Sequence, residues 1–177
     1  MRNFSILKIK TMSTKNLNNT EARKKIKELA ESIDFAMMAT NLKSEPFHVI
    51  PMSTKEVDEA GNIWFLSNKN SEHNKNIESE NKTQLIYADK GNFEFLSVYG
   101  RATISTDRNR IKELYGSGDD AWFDGVDDPN ITALKIQPDD AHYWDTKNGK
   151  VISLLKMVGG AITGNEPDLG EHGDLKI

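Results

Sequence analysis

Among its 177 residues the chain has no cysteine. Disulfides, thiolate metal sites and a cysteine nucleophile are therefore excluded, and the absence suits a reducing compartment. Long apolar runs are missing too. No segment approaches the roughly 20 residues that span a bilayer, and Phe4-Ser5-Ile6-Leu7 is too short for a signal-peptide core. The expectation is a cytoplasmic protein with no membrane partner. Positive charge is not in excess, since the net charge is −4. The local basic run Lys8, Lys10, Lys15, Arg23, Lys24, Lys25 and Lys27 carries no interleaved aromatics and reads as a solvated helix face, so no nucleic-acid partner is expected. His48, His73, His142 and His172 are too scattered to make a short ligand pair, and no metal site is expected of them. Asp119, Asp120, Asp124, Asp127 and Asp128 lack the alternating spacing of a calcium loop and read as a solvated loop. A Gly-x-Ser-x-Gly elbow and a Walker phosphate loop are also absent, which removes the common hydrolase and nucleotidase signatures.

What is present is organised around residues 61–77. The turn pair Gly61-Asn62 leads into Ile63-Trp64-Phe65-Leu66, an apolar run of strand length that Ser67 and Asn68 break. Ser71 then reads as the N-cap of a helix on which Ile77 is the apolar residue. Hydroxyls, an amide, free backbone N–H groups, His73 and Lys75 thus meet where a strand ends and a helix begins. Such a junction can seat a phosphate, because unpaired N–H groups and the helix dipole favour an anion there. Ser71 acting as a cap and nothing more is the competing explanation.

Residues 1–19 are polar and without period, which predicts a mobile leader ahead of one domain over residues 20–177. Thr20 is expected to cap a helix with Ala22, Ile26, Leu29, Ala30 and Ile33 on one face. Strands follow over 35–40 and from Phe47, paired as a hairpin, with Pro51 marking an edge, a bulge or an approach to a ligand. Further strands are expected over 63–66, 83–88 and 93–105, the last with Gly100 at a bulge or close approach. Asp107 caps another helix; 131–136 and 141–144 read as two strands around a Pro138-Asp139-Asp140 turn; and 151–162 is apolar in a way that suits helix or strand. Many short strands joined by tight turns, with a few helices at connections, predict a mainly β fold, an antiparallel barrel or sandwich. Trp122 and Phe123, in an otherwise polar loop, must land on the core, a second subunit or a planar ligand. Arg101 suits an acidic side chain or a ligand anion equally well.

An ordered set of segments carries a more specific message. Ile50-Pro51-Met52, Ile63-Trp64-Phe65-Leu66-Ser67 with Ser71, His73 and Lys75, Val98-Tyr99-Gly100-Arg101-Ala102, Ala121-Trp122-Phe123, Tyr143-Trp144-Asp145 and Pro167-Asp168-Leu169-Gly170-Glu171-His172-Gly173 run from about residue 20 to the end. Together they resemble the general stress protein branch of the pyridoxamine 5′-phosphate oxidase-like superfamily, the flavin-binding split barrels. The resemblance implies a six-stranded antiparallel split barrel, a homodimer, and flavin mononucleotide (FMN) bound in clefts at the subunit interface. Carried over by position, Val49, Ile50, Pro51 and Met52 would run along the isoalloxazine. Leu66, Ser67, Asn68, Ser71, His73 and Lys75 would follow, the polar ones holding the ribityl phosphate, and Trp122 would come from near the other subunit's cleft.

Two departures from the family pattern bear on activity. Ser71-Glu72-His73 stands where the oxidases typically have Ser-Arg-Lys, which leaves Lys75 as the one fixed cation of the segment and a looser hold than a bidentate arginine gives. The C-terminal Arg-x-His pair of true pyridoxamine phosphate oxidases has no counterpart, so vitamin B6 synthesis is not expected. The resemblance implies an FMN-dependent oxidoreductase taking electrons from reduced nicotinamide to a small acceptor. The alternatives are a module that sequesters flavin or another flat anion without turnover, and a dimer in which Trp122 only fills the interface. No general acid or base is singled out.

Overall fold

The computed structural model describes residues 13–145 and 170–176. Helix α1 (Asn19–Ile33) forms on the predicted one-face spacing, with Ala22, Ile26, Leu29 and Ala30 buried and Ile33 packed against the same core. It stops at Asp34, which adopts a positive φ of 68° and whose N–H donates to the Ala30 carbonyl at 3.1 Å. Asp34 then ties the helix end to the sheet, because its carboxylate accepts Ser53 Oγ at 3.0 Å and its carbonyl accepts the Thr54 N–H at 2.8 Å.

The strands are β1 (Ser13–Thr14), β2 (Leu17–Asn18), β3 (Phe35–Thr40), β4 (His48–Ser53), β5 (Glu56–Val57), β6 (Ile63–Asn68), β7 (Lys82–Asp89), β8 (Glu94–Ser105), β9 (Ile131–Asp145) and β10 (Glu171–Lys176). All belong to one sheet, whose main path runs β1-β10-β9-β8-β7-β3-β4, with β6 pairing β9 and β5. The expected mainly β architecture with appended helices is what forms. Its detail differs from a six-stranded, wholly antiparallel barrel: among the described residues ten strand segments take part, and β10 pairs parallel with both β1 and β2. Within the segment read as a leader, Ser13–Thr14 and Leu17–Asn18 pair β10, and Leu17 is buried. The polar alternation of Glu171–Lys176 hid β10, whose strand character comes from pairing β9 on one side and β1 and β2 on the other. The apolar stretch 151–162 lies outside the described residues.

Strand β9 closes the architecture. Its first half pairs β6 (Ser67↔Thr132, Ile63↔Ile136) and its second half pairs β10 (Tyr143↔Gly173), while β8 runs beside both halves. The expected turn at Pro138-Asp139-Asp140 does not exist. That tripeptide sits at a register shift opposite Tyr99 and Gly100, so a turn-like composition marks a bulge within one continuous strand, where proline's missing N–H is tolerated. Gly100 makes the bulge possible, because a Cβ there would lie 2.3 Å from the Gln137 carbonyl oxygen. Gly100→Ala is expected to destabilise the protein by about 1–3 kcal/mol through overpacking against backbone, read as a lowered urea midpoint; an unchanged midpoint would show that β9 can yield there. Arg101, next to it, is an ordinary partner of Asp139, with Nη2 to Oδ1 at 2.7 Å.

The main core lies between α1 and the sheet, with Phe65, Met38, Leu85, Tyr87 and Tyr143 fully buried. A second cluster of Leu66, Ile111, Leu114, Ile131 and Ala133 seats α3 (Arg108–Leu114), capped as expected by Asp107, and takes in Phe123. This cluster anchors the loop that follows α3, including a 3-10 turn over Ser117–Ala121.

Candidate functional site

Strand β6 buries Ile63, Phe65 and Ser67 on one face and carries the half-buried Trp64 and buried Leu66 on the other, ending at the exposed Asn68 beside β9. The chain turns through Lys69 and Asn70 into α2 (Glu72–Ser79), where Ser71 is the N-cap and its Oγ accepts the Asn74 N–H at 3.3 Å. Beside this junction runs β4, on whose far side no strand pairs among the described residues. Between β4, the end of β6 and the 3-10 turn opens a cleft of about 550 Å³.

Of the predicted site residues, Ile50, Pro51, Met52, Leu66, Ser67, Asn68, His73 and Trp122 line this cleft. Val49, Ser71 and Lys75 do not line it. Val49 is exposed on β4, Lys75 is exposed on α2, and Ser71 stands one hydrogen bond behind the lining. Trp122, placed by position near a partner's cleft, lines the cleft of its own chain, and its indole is 82% exposed at the mouth.

At the α2 end the polar groups form a directed network. Ser67 Oγ lies 2.5 Å from His73 Nε2 and donates to Asn74 Oδ1 at 2.9 Å. Asn74, 1% exposed, passes the chain on from Nδ2 to Thr132 Oγ1 at 2.9 Å, and Thr132 returns it to the Ser67 carbonyl at 3.2 Å. Because the single hydroxyl proton of Ser67 goes to Asn74, the His73 contact requires Nε2–H to donate to Ser67 Oγ, which leaves Nδ1 as the basic nitrogen. Ser71 Oγ lies 3.1 Å from the same Nε2. Burial pushes the His73 imidazole down to about 4, the nearby His48 adding to that shift and Glu72 opposing it.

That shift has a consequence for stability. The folded pKa of about 4 lies below the unfolded value of 6.5, so the unfolded chain binds more protons between the two. The stability His73 contributes is present above pH 6.5 and is lost as pH falls towards 4. Denaturant unfolding at a series of pH values is expected to show His73→Gln flattening the loss across that window; parallel curves would contradict the shift.

Two cleft residues went unread in the sequence. Lys55 lines the cleft just beyond β4, and its Nζ meets both carboxylate oxygens of Asp119, at 3.0 and 2.8 Å. Asp119 was expected in a solvated acidic loop but is buried. Its Oδ2 accepts the Gly116 N–H at 2.8 Å, and its carbonyl accepts the N–H groups of Trp122 and Phe123 at 2.9 and 3.1 Å. The ion pair therefore fixes the turn that presents both aromatics. Only long-range pairing across 64 residues distinguishes Asp119 from the other aspartates of that loop.

The cleft's setting agrees with what comparison finds. A model of the family described as "Pyridoxamine 5′-phosphate oxidase like" matches residues 21–168. The chain belongs to this family. Within it, the pyridoxamine 5′-phosphate oxidase-like chain falls in the general stress protein branch. General stress protein 26 of Bacillus subtilis is 32% identical over 60 residues, 34% of this chain and 43% of that protein. A crystal structure of a general stress protein 26 from Jannaschia sp. CCS1 superimposes with a TM-score of 0.76 at 25% identity, covering 89% of this chain and 98% of that one. The general stress FMN/FAD binding protein from Xanthomonas citri superimposes at 0.61 and 24% identity over 72% of this chain and 90% of its own. These likenesses establish the split-barrel fold for the oxidase-like chain. Among its described residues, no helix is long and apolar enough to cross a membrane.

Proposed function

We propose that the cleft binds FMN and that the protein is a cytoplasmic homodimer able to pass electrons from a reduced nicotinamide to a small acceptor. The observation that carries this reading is the two-ended character of one cleft. Ile50, Met52, Leu66, Phe123 and the Trp122 indole give it apolar walls suited to a flat ring, and Ser67 with His73 gives it a polar corner at the start of α2. The groups present fit a phosphate at that corner: the His73 imidazole in the lining, a donor once protonated, and just behind it the Ser71 hydroxyl and the helix N-terminus. A bound flavin would supply the redox chemistry. The chain's part is to grip the ring between β4 and the aromatic turn, seat the phosphate, and exclude water from the ring face.

The homodimer is supported by the outer face of the sheet. Cross-strand registers line up Pro51, Met37, Ile86 and Ser97 in one row. Met37 is 46% exposed and Ile86 51%, with Phe35 and Val49 exposed beside them. Such a patch on a soluble chain marks an interface, and Phe35 and Pro51 belong both to it and to the cleft lining. A second copy seated there would bring two clefts to one interface.

The second reading, flavin held without turnover, draws on the polar corner. Lys75 is exposed and does not line the cleft, and Lys55, which does, is engaged by Asp119. Steady nicotinamide consumption by the flavin-loaded protein separates the two. For the site itself, Trp122→Ala is expected to raise the FMN Kd by about tenfold, the loss of one aromatic contact of roughly 1.4 kcal/mol, in a fluorescence titration. An unchanged Kd with a weakened dimer would return Trp122 to a purely structural role.

A further inference from the structure

The polar corner of the cleft differs in kind from one built on arginine, because the basic group that lines it is a histidine held neutral by its surroundings. From β6 the corner receives the uncharged Ser67 and Asn68, with the uncharged Thr132 of β9 behind them. Outside the lining, His48 of β4 faces His73 from behind the corner; its Nε2 lies 3.7 Å from the exposed Glu72 carboxylate of α2, and its Nδ1 is buried with no hydrogen-bond partner among the described residues. The fixed cations nearby in sequence, Lys69 and Lys75, are exposed, and the Lys55 ammonium is paired with Asp119. A phosphate monoester entering here as a dianion would therefore meet the Ser67 hydroxyl, the Asn68 amide and the His73 imidazole, without a free fixed cation among the described lining residues.

We propose that this corner takes up a phosphate together with a proton, which goes from solvent to the His73 imidazole as the anion binds, so that the cleft selects phosphorylated over unphosphorylated flavin in a pH-dependent manner. The inference rests on the flavin reading above and deepens it. The hydrogen-bond geometry makes the step feasible without rearrangement. Nε2–H already donates to Ser67 Oγ, so Nδ1 accepts the proton while Ser71 Oγ continues to hold Nε2 from behind. In the ligand-free protein the same proton is disfavoured by burial and by His48. The dianion reverses that balance, because an opposite charge at contact distance favours the charged imidazole. Proton and anion therefore bind cooperatively, and each raises the affinity for the other by the same factor.

The test compares FMN with riboflavin, which has the ring and ribityl chain but no phosphate, on the full chain. Between pH 6.5 and 8.5, above the phosphate's own second ionisation near 6, the FMN Kd is expected to rise with pH by up to about tenfold per unit, the limit for one linked proton. The riboflavin Kd should stay flat. Calorimetric titration in two buffers of different ionisation enthalpy should find net proton uptake, at most one per FMN bound, at pH 7 and none with riboflavin. His73→Gln should abolish the uptake and weaken FMN alone, and His73→Arg should give FMN binding that no longer varies with pH. Uptake that persists in His73→Gln would assign the proton to another group and overturn the inference, as would flat FMN affinity in the wild type. If neither flavin binds at any pH, the cleft reading fails and this inference with it. If both bind alike, only the inference fails.

Discussion

Met37→Lys is expected to convert the proposed dimer to monomer, weakening self-association on the order of 100-fold or more, the loss that follows when a buried apolar anchor at an interface centre is replaced by a charge that must be desolvated. Met37 is central in the row Pro51, Met37, Ile86. Its side chain is already half exposed in the single chain, so the substitution should leave the monomer's urea midpoint nearly unchanged. Sedimentation velocity over a range of concentrations reads the association directly. FMN affinity should fall with it, because Phe35 and Pro51 serve both the face and the cleft. A Met37→Lys protein that stays dimeric and binds flavin normally would mean that the exposed apolar row faces something other than a second copy.

The second large effect concerns the Lys55–Asp119 pair. Both side chains are mostly buried, at 19% and 12% exposure. Asp119→Ala strands an ammonium there and removes the acceptor for the Gly116 N–H. The cost should be about 2–4 kcal/mol, somewhat under that of breaking a fully buried pair. The double change Lys55→Met with Asp119→Ala should recover at least about 1 kcal/mol of that, since two apolar groups incur no unpaired-charge penalty. The Trp122 emission should shift in the single variant as the turn loosens. If the double variant is less stable than the single, the pair is not the strut described.

How far the sequence reached can be stated by residue. Periodicity placed α1 correctly because its apolar face is local information, and Ser71 and Asp107 announced their helices because a cap acts within three residues. Pro51 was legible as an edge or ligand-facing residue, and it proves to be on an edge and in the cleft lining at once. The bulge at Gly100 was read from a single glycine, but its partner across the ladder was mistaken for a turn. Proline and aspartates look alike in either setting, and only strand pairing tells them apart. Strand β10 was missed because it has few apolar residues and takes its place from neighbours distant in sequence. Lys55, Asp119 and the Asn74 relay were missed for the same reason. Each depends on a contact across dozens of residues, which no local pattern records.

The measurement that bears most directly on the central claim is the visible absorption spectrum of the purified protein after loading with FMN and removal of the excess by gel filtration. The account predicts a flavin band that co-elutes with the protein at dimer size and is lost when Ser67 and Ser71 are both changed to alanine. A protein that emerges without a band after loading at high concentration and pH 6.5, while remaining folded, would contradict the flavin cleft.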